Sequence, residues 1–181
     1  MFLLHFSSFR IQSGQSDLSH YNIISGHQLP EQIIICMVDQ ASHSGNLTKN
    51  PFNFKNLNIS EASIVVNGVH EPSEPYKLDI AKGDYSNLYS DFLLNTGIGN
   101  EDRDCGITEV DYTSGTFLLV FDRSKEKCNR YHRHPHDSGT IDINIRTREN
   151  LTSTITVIVY ASYSSEILID ETYTVNLTKS F

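Results

Sequence analysis

The sequence predicts an all-β fold, an antiparallel jelly-roll β-sandwich with one short inserted helix at about residues 84–96. Many short segments have the alternation or the continuous apolar runs of β-strands, and turn residues separate them. One segment alone has helical spacing. The chain has 181 residues, the length of one ordinary domain. We therefore expect a single jelly-roll domain over residues 1–181, without a linker or an internal repeat.

The first predicted strands surround a tight hairpin. Glu31–Asp39, EQIIICMVD, is a continuous apolar run, as in a strand that is covered on both faces. Ile59–Asn67 alternates and runs into Asn67-Gly68, a dipeptide that favours a two-residue hairpin because both turn positions take positive φ. Thr116–Phe121, TFLLVF, is a further buried strand.

The late strands have the clearest pattern. Thr140–Arg148 places one set of side chains on an apolar face, namely Ile141, Ile143 and Ile145. Ser153–Ala161 is rich in β-branched residues, which favour strands. Glu166–Asp170 and Thr172–Val175 complete the series. Because short turns separate these segments, we expect them to be antiparallel neighbours.

The inserted helix is predicted over Asp84–Thr96. Its apolar side chains recur at i, i+3, i+4, i+7 and i+8, at Tyr85, Leu88, Tyr89, Phe92 and Leu93. Asp84 is the expected N-cap, and Gly97 is expected to take the left-handed conformation after the last turn. The aromatic stripe indicates a packed core face and not a ligand site.

Composition excludes several partners. The net charge of −8 argues against bulk attraction to nucleic acid or to anionic lipid. The apolar start, MFLLHFSSFR, is too short for a signal-peptide core, and no run approaches the ~20 apolar residues of a membrane span. We therefore expect a protein that is not secreted and lies inside the cell, in the cytoplasm or the nucleus. The four N-x-[ST] sequons are read as chance matches.

The three cysteines imply no disulfide framework. Cys36 lies within the apolar run IIICMV and is expected to be a small buried hydrophobe. Cys105 and Cys128 lie in polar segments and could pair only if the fold joins them.

A basic island, residues 123–136, lies in this acidic chain and has a local charge of +4. It ends in YHRHPH, where His132, His134 and His136 alternate and would project from one face of an extended strand. Three imidazoles on one face could bind zinc, copper or nickel. The H-x-H pair of cupins is followed by a Glu and a later His, which this chain lacks. We predict a solvated, partly protonatable loop and assign no metal ligand.

Motifs for catalysis are weak. The sequence has no G-x-S-x-G elbow, and the consecutive His136, Asp137 and Ser138 cannot all point at one another. Asn100, Asp102 and Asp104 have calcium-loop spacing, but the Gly falls one place late, so we expect an acidic surface turn. We predict no enzyme activity, no catalytic residue and no cofactor.

Five segments, in their order, carry a resemblance. They are SGHQLPEQIIICMVDQASHSGNLTKNPFNF (25–54), NISEASIVVNGVHEP (58–72), DYSNLYSDFLLNTGI (84–98), DYTSGTFLLVFD (111–122) and SGTIDINIRTRENLTSTITVIVYASYSSEILID (138–170). Together they resemble the C-terminal part of the major capsid proteins of Maverick/Polinton elements and their adintovirus relatives. Those are double jelly-roll proteins of a DNA-virus lineage, and this chain matches only the second roll.

The resemblance implies a structural capsid protein, present as a gene fragment, as the relic of an integrated element or as a host-retained roll. If the protein is functional, the resemblance also implies a location in the virion capsid. It implies self-association into a trimer or pseudo-hexameric capsomer, or contact with other capsid proteins. It also implies that the NPFNF turn places aromatic side chains in the sandwich. A lone roll could associate through edge strands, or through the basic island against an acidic stretch such as Glu101–Asp104. The alternatives are a binding module for carbohydrate or protein and a cupin-like metalloprotein.

Overall fold

Eight strands alternate between two four-stranded antiparallel sheets in a computed structural model of the chain. The structure describes residues 2–26, 28–98, 106–123, 138–164, 166–169 and 174–178. The strands are β1 (Phe2–Ile11), β2 (His20–Gly26), β3 (Gln32–Asp39), β4 (Ile59–Val66), β5 (Val69–Lys77), β6 (Leu118–Asp122), β7 (Gly139–Thr147), β8 (Ile155–Ser164), β9 (Glu166–Ile169) and β10 (Val175–Thr178). The helices are α1 (Gln40–His43), α2 (Ser86–Asn95) and α3 (Glu109–Ser114), with a 3-10 turn at Ile80–Lys82.

The order of the strands is that of a jelly roll. The first sheet has the order β1-β8-β3-β6, and the second has the order β2-β7-β4-β5. Between β1 and β8, every connection from one strand to the next crosses to the other sheet, except the β4–β5 hairpin. Two sheets of four strands wound in this way form a jelly-roll β-sandwich, which confirms the predicted fold class. The hairpin β9–β10 follows the sandwich.

The core lies between the two sheets and is one continuous cluster. Ile141, Ile143 and Ile145 of β7 are fully buried in it, while the intervening side chains of β7 face outward, as the alternation predicts. From the first sheet, Val157 and Val159 of β8 meet them. Burial of such side chains stabilises the fold by about 1.5–3 kcal/mol each.

The predicted pairing of the late strands is wrong for β7 and β8. These strands lie in different sheets: β7 pairs with β2 and β4, and β8 pairs with β1 and β3. The short connection between them crosses from one sheet to the other. Of these segments, β9 and β10 pair as expected, with Val175 opposite Ile169, but β10 begins at Val175, where the predicted strand ends.

The helices differ from the prediction in number and in their caps. Helix α2 begins two residues later than predicted, and its N-cap is Tyr85, not Asp84. The backbone of Asp84 instead forms a reciprocal pair of hydrogen bonds with Asp79. Gly97 has φ of 78° and ends the helix as predicted. The sequence analysis missed α3, which Thr108 begins with a capping box to Asp111.

Helices α2 and α3 cover the end of β6 with an aromatic cluster. Phe92 lies against Tyr112, with ring centroids 5.1 Å apart, and Tyr112 lies at the same distance from Phe117. All three are buried. The stripe of α2 packs on the core as predicted, with Leu88 and Phe92 buried and Tyr85, Tyr89 and Leu93 partly buried. The expectation that the NPFNF turn places its aromatic side chains in the sandwich is wrong for Phe52, which is 73% exposed.

Candidate interaction surface

The sequence-derived metal candidates lie outside the described residues. This holds for His132, His134 and His136, and also for the acidic stretch Glu101–Asp104 with which the basic island was paired. Cys105 and Cys128 are likewise outside the described residues. Cys36 is buried and free, as predicted. Within the residues that the structure describes, no cluster of three His, Cys, Asp or Glu side chains could hold a metal ion.

Arg123, the first residue of the basic island, is described, and it has a structural role. Its side chain is 9% exposed. The guanidinium Nε donates to Glu71 Oε2 at 2.7 Å, and a terminal nitrogen donates to the carbonyl oxygen of Pro30 at 3.0 Å. Arg123 thereby joins the end of β6 in the first sheet to β5 in the second sheet.

A cleft of about 330 Å³ lies beside this ion pair, between β5, β6 and the end of α2. Tyr76 lines it and donates from its hydroxyl to Asp91 Oδ2 at 2.6 Å. Burial, together with the adjacent Asp91 carboxylate, raises the pKa of Tyr76 well above its usual range. A ligand of this cleft would have to displace polar groups that already pair with one another, which opposes binding.

A second cleft of about 310 Å³ lies at the end of β3 around Asp39. The carboxylate of Asp39 accepts hydrogen bonds from Lys55 Nζ at 2.7 Å and from Ser153 Oγ at 3.0 Å. Burial opposes ionisation of this carboxyl, but these hydrogen bonds and the charges of Lys55 and Lys49 hold its pKa below the usual range. The Asp39 carboxylate is thus already paired, and the cluster joins the end of β3 to the α1–β4 and β7–β8 connections.

The outer face of the second sheet is polar. Glu61 of β4 lies between Arg146 of β7 and Lys77 of β5, so opposite charges alternate across three strands. In the next rows, Ser63 Oγ lies 3.2 Å from His70 Nδ1, and Asp142 Oδ1 accepts from the amide of Asn22 at 2.7 Å. This face has the composition of a solvated surface.

The outer face of the first sheet has an apolar patch, flanked by polar side chains such as Ser8, Arg10 and Ser162. Strand pairing places Phe6 of β1 beside Tyr160 of β8, and Tyr160 beside Ile34 of β3. Leu4 and Ile158 lie in the neighbouring rows. Phe6 is 61% exposed and Leu4 57%, whereas the other three side chains are partly buried. We call these five residues the apolar outer face.

The helices cover this outer surface on β6 and at one end of β3 and β8. Val120 of β6 is 2% exposed beneath α2, and Val38 of β3 is 1% exposed near α1. The side chain of Thr156 donates to Gln40 Oε1 at the same end. Burial thus decreases from β6 toward β1, and the apolar outer face lies in the part of the sheet that the described helices leave uncovered.

The sequence analysis did not find this face. It considered the segment that forms β1 only as a possible targeting signal. The alternation that places Leu4 and Phe6 on one side of the strand is present in the sequence, but Ile34, Ile158 and Tyr160 join them only through strand pairing. None of the helices in the described part of the chain is long and apolar enough to cross a membrane.

Comparisons with known proteins give a likeness in fold. No family model matches the sequence, and no curated protein matches it. The chain is similar to a chain in the 3.5 Å cryo-EM structure of the Sputnik virophage, with a TM-score of 0.51 at 12% identity. The match covers 98% of this chain and 38% of that chain. The protein is therefore an eight-stranded jelly roll of a kind that also occurs in a virophage.

Proposed function

We propose that this chain is a viral-type capsid protein, a structural building block that assembles through contacts between jelly rolls. The observation that carries the proposal is the match of almost the whole chain to a virophage chain with the same fold. The apolar outer face supports it, because an exposed apolar sheet face in an acidic protein favours contact with another protein. A role in assembly needs no catalytic group.

In finer detail, we propose that residues 1–181 form one jelly-roll domain that corresponds to the second roll of the double jelly-roll capsid proteins of Maverick/Polinton elements. Its partners would be further copies of the chain, as a trimer or pseudo-hexameric capsomer, or other capsid proteins. Its location would be the virion capsid. The order of the five sequence segments supports this assignment, and the share of the virophage chain that is matched, 38%, is compatible with one roll of a longer protein.

The first test is the molar mass of the purified chain in solution, measured by light scattering across a concentration series. We expect a trimer or a hexamer that forms as concentration rises. The same series in high salt is the control for charge-driven aggregation, because a specific capsomer keeps its stoichiometry when charges are screened. A chain that remains a monomer at every concentration and salt level contradicts self-assembly by this protein.

A further inference from the structure

We propose that β1 pairs edge to edge with β1 of a second copy, so that two first sheets join into one continuous sheet. This inference rests on the proposed function and specifies its contact surface. A strand at a sheet edge has unpaired backbone N–H and C=O groups, and the group that fits them is another β-strand. Among the described residues, the sandwich has four such edges, at β1, β6, β2 and β5, and the separate β9–β10 hairpin consists of two strands of only four residues each.

The edge at β6 is closed by side chains of the helices. The carbonyl oxygens of Leu118 and Val120 lie two residues apart and therefore point to the same side of the strand. Tyr112 of α3 donates its hydroxyl to the first oxygen at 2.7 Å, and Asn95 of α2 donates its amide to the second at 2.9 Å. These carbonyl groups are unavailable to a further strand.

The two edges of the second sheet are interrupted. Strand β5 contains Pro72 and Pro75, which have no N–H to donate, and its edge also carries Glu71 and Glu74. Strand β2 has a register shift between His20 and Ile24, and Asn22 within it has φ of 51°. Prolines, charges and irregularities of this kind are the features by which sheet proteins avoid unwanted pairing.

Strand β1 has none of these features. Its ten residues pair with β8 in unbroken register from Phe2 to Ile11, without proline or bulge. Among the described residues, β8 is its only strand partner. Long, regular and partly apolar edges are the ones that pair with other chains.

The charge of β1 favours a second copy as the occupant. The whole chain has a net charge of −8, yet its first acidic residue is Asp17. Two copies therefore approach with least repulsion at β1. Arg10 is the one Lys, Arg, Asp or Glu in this strand. In an antiparallel pair centred near Phe6, the two Arg10 side chains lie about 25 Å apart, at about 3.3 Å per residue, well beyond the screening length.

This pairing also extends the apolar outer face. A two-fold axis perpendicular to the sheet keeps both outer faces on the same side, and such an axis gives an isologous contact. Phe6 and Leu4 of one copy then lie beside those of the other. The joined sheet has eight strands, four from each copy, with the exposed apolar side chains at its centre. Because this contact joins copies in pairs, the assembled species expected from both proposals is the hexamer, in which three such pairs combine.

The test combines hydrogen exchange with one substitution. Exchange of the full chain is measured by mass spectrometry below and above the association concentration, and we expect slower exchange in peptides from residues 2–11 at the higher concentration.

Phe6→Lys places two like charges side by side at the two-fold axis and should weaken association by about tenfold or more. The matched control is Tyr21→Lys, since Tyr21 is a 75% exposed aromatic residue on the edge strand of the other sheet. It should change association by less than about twofold, as expected for residues outside an interface.

The outcomes separate this inference from the proposed function. Association that protects residues 2–11 and is weakened by Phe6→Lys supports both. The β1 contact is overturned if the chain forms an oligomer but these amides remain unprotected. It is also overturned if neither Phe6→Lys nor Leu4→Lys weakens association. Either result leaves the capsid proposal standing. A monomer under all conditions overturns both. Unchanged circular dichroism and melting temperature verify that each variant remains folded.

Discussion

The side chain of Asn67 occupies the space that a Cβ atom on residue 139 would need. Asn67 begins the β4–β5 turn with φ of 51°, and Gly139 begins β7 with φ of 145°. Asn67 Oδ1 accepts from the amide of Thr140 at 2.9 Å, and Asn67 Nδ2 donates to the carbonyl oxygen of Ser138 at 3.2 Å. The hairpin turn is thereby fixed to the start of the next strand of the same sheet.

Gly139→Ala should destabilise the fold because the new methyl group displaces Asn67 and breaks these hydrogen bonds. We expect a loss of about 3 kcal/mol in the free energy of unfolding, measured in urea. Gly14→Ala is the control, since Gly14 also has positive φ but has no atom within 4 Å of the added Cβ. It should cost about 1 kcal/mol.

Asn67→Gly in the Gly139→Ala background tests the cause directly. Removal of the Asn67 side chain removes the clash, so the double variant should be more stable than additivity predicts by about 1–2 kcal/mol. Strict additivity would show that strain at Gly139, and not contact with Asn67, determines the loss.

Cys36 should be unreactive in the folded protein. It lies in β3 at 8% exposure, and burial raises the pKa of its thiol to about 12. Because the thiolate is the nucleophile, alkylation at pH 8 should be slower than for a free thiol on the order of a thousandfold. Peptide mass spectrometry after alkylation with and without urea measures this residue apart from Cys105 and Cys128. Equal labelling of Cys36 in both conditions would show that β3 is not buried as described.

Asp39 should contribute to the pH dependence of stability. Its native pKa lies below the unfolded value of about 3.9, so its contribution is complete above about pH 4 and is lost as pH falls through the native pKa. Asp39→Asn should therefore lower the free energy of unfolding by about 1 kcal/mol at pH 7 and by less at pH 3. Urea titrations at the two pH values measure the difference.

The exposed Asp84 supplies the control, and Asp84→Asn should change stability by less than about 0.5 kcal/mol. An equal loss at both pH values for Asp39→Asn would exclude an ionic role.

Arg123→Met should destabilise the junction between the two sheets. The substitution leaves the carbonyl oxygen of Pro30 without its guanidinium donor, which should cost about 1–2 kcal/mol. Arg123→Lys should lose most of this stabilisation as well, because an ammonium group cannot reproduce the fork of the guanidinium. In a double-mutant cycle with Glu71→Gln, the coupling should be below about 1 kcal/mol, since Glu71 is 40% exposed. If the coupling free energy between Arg123 and Glu71 is large and Arg123→Lys hardly changes stability, the role of Arg123 rests on its charge alone.

The histidines of YHRHPH should not retain a metal ion. We predict that the chain, after dialysis against chelator, contains no stoichiometric zinc, copper or nickel by elemental analysis. The triple variant of His132, His134 and His136 to Gln is the control for adventitious binding. Retention of one metal ion per wild-type chain and none in this variant would establish a site there and would support the metalloprotein alternative.

Local patterns predicted β3, β4, β6, β7, β8, β9 and the principal helix because alternation and apolar runs reflect burial directly, but the analysis missed β1 and β2. They could not assign the sheets. The side chains of β7 and β8 have the same strand pattern, and their separation into two sheets depends on partners far away in sequence, such as Phe6 beside Tyr160. The same limit applies to the apolar outer face, which three distant segments form together. The six residues of α3 were too few for periodicity to reveal, although Thr108 and Asp111 already have capping-box spacing.

The position of β8 has a consequence for biosynthesis. In the first sheet β8 lies between β1 and β3, and these two strands do not pair with each other. A ribosome that has produced the first 150 residues has therefore released β1 and β3 without the strand that joins them. Until residues 155–164 emerge, β1 has no strand partner in its sheet, and β3 can pair only with β6. Pairing over these separations is slow. Chaperones that bind β1 during translation should consequently raise the yield of folded protein.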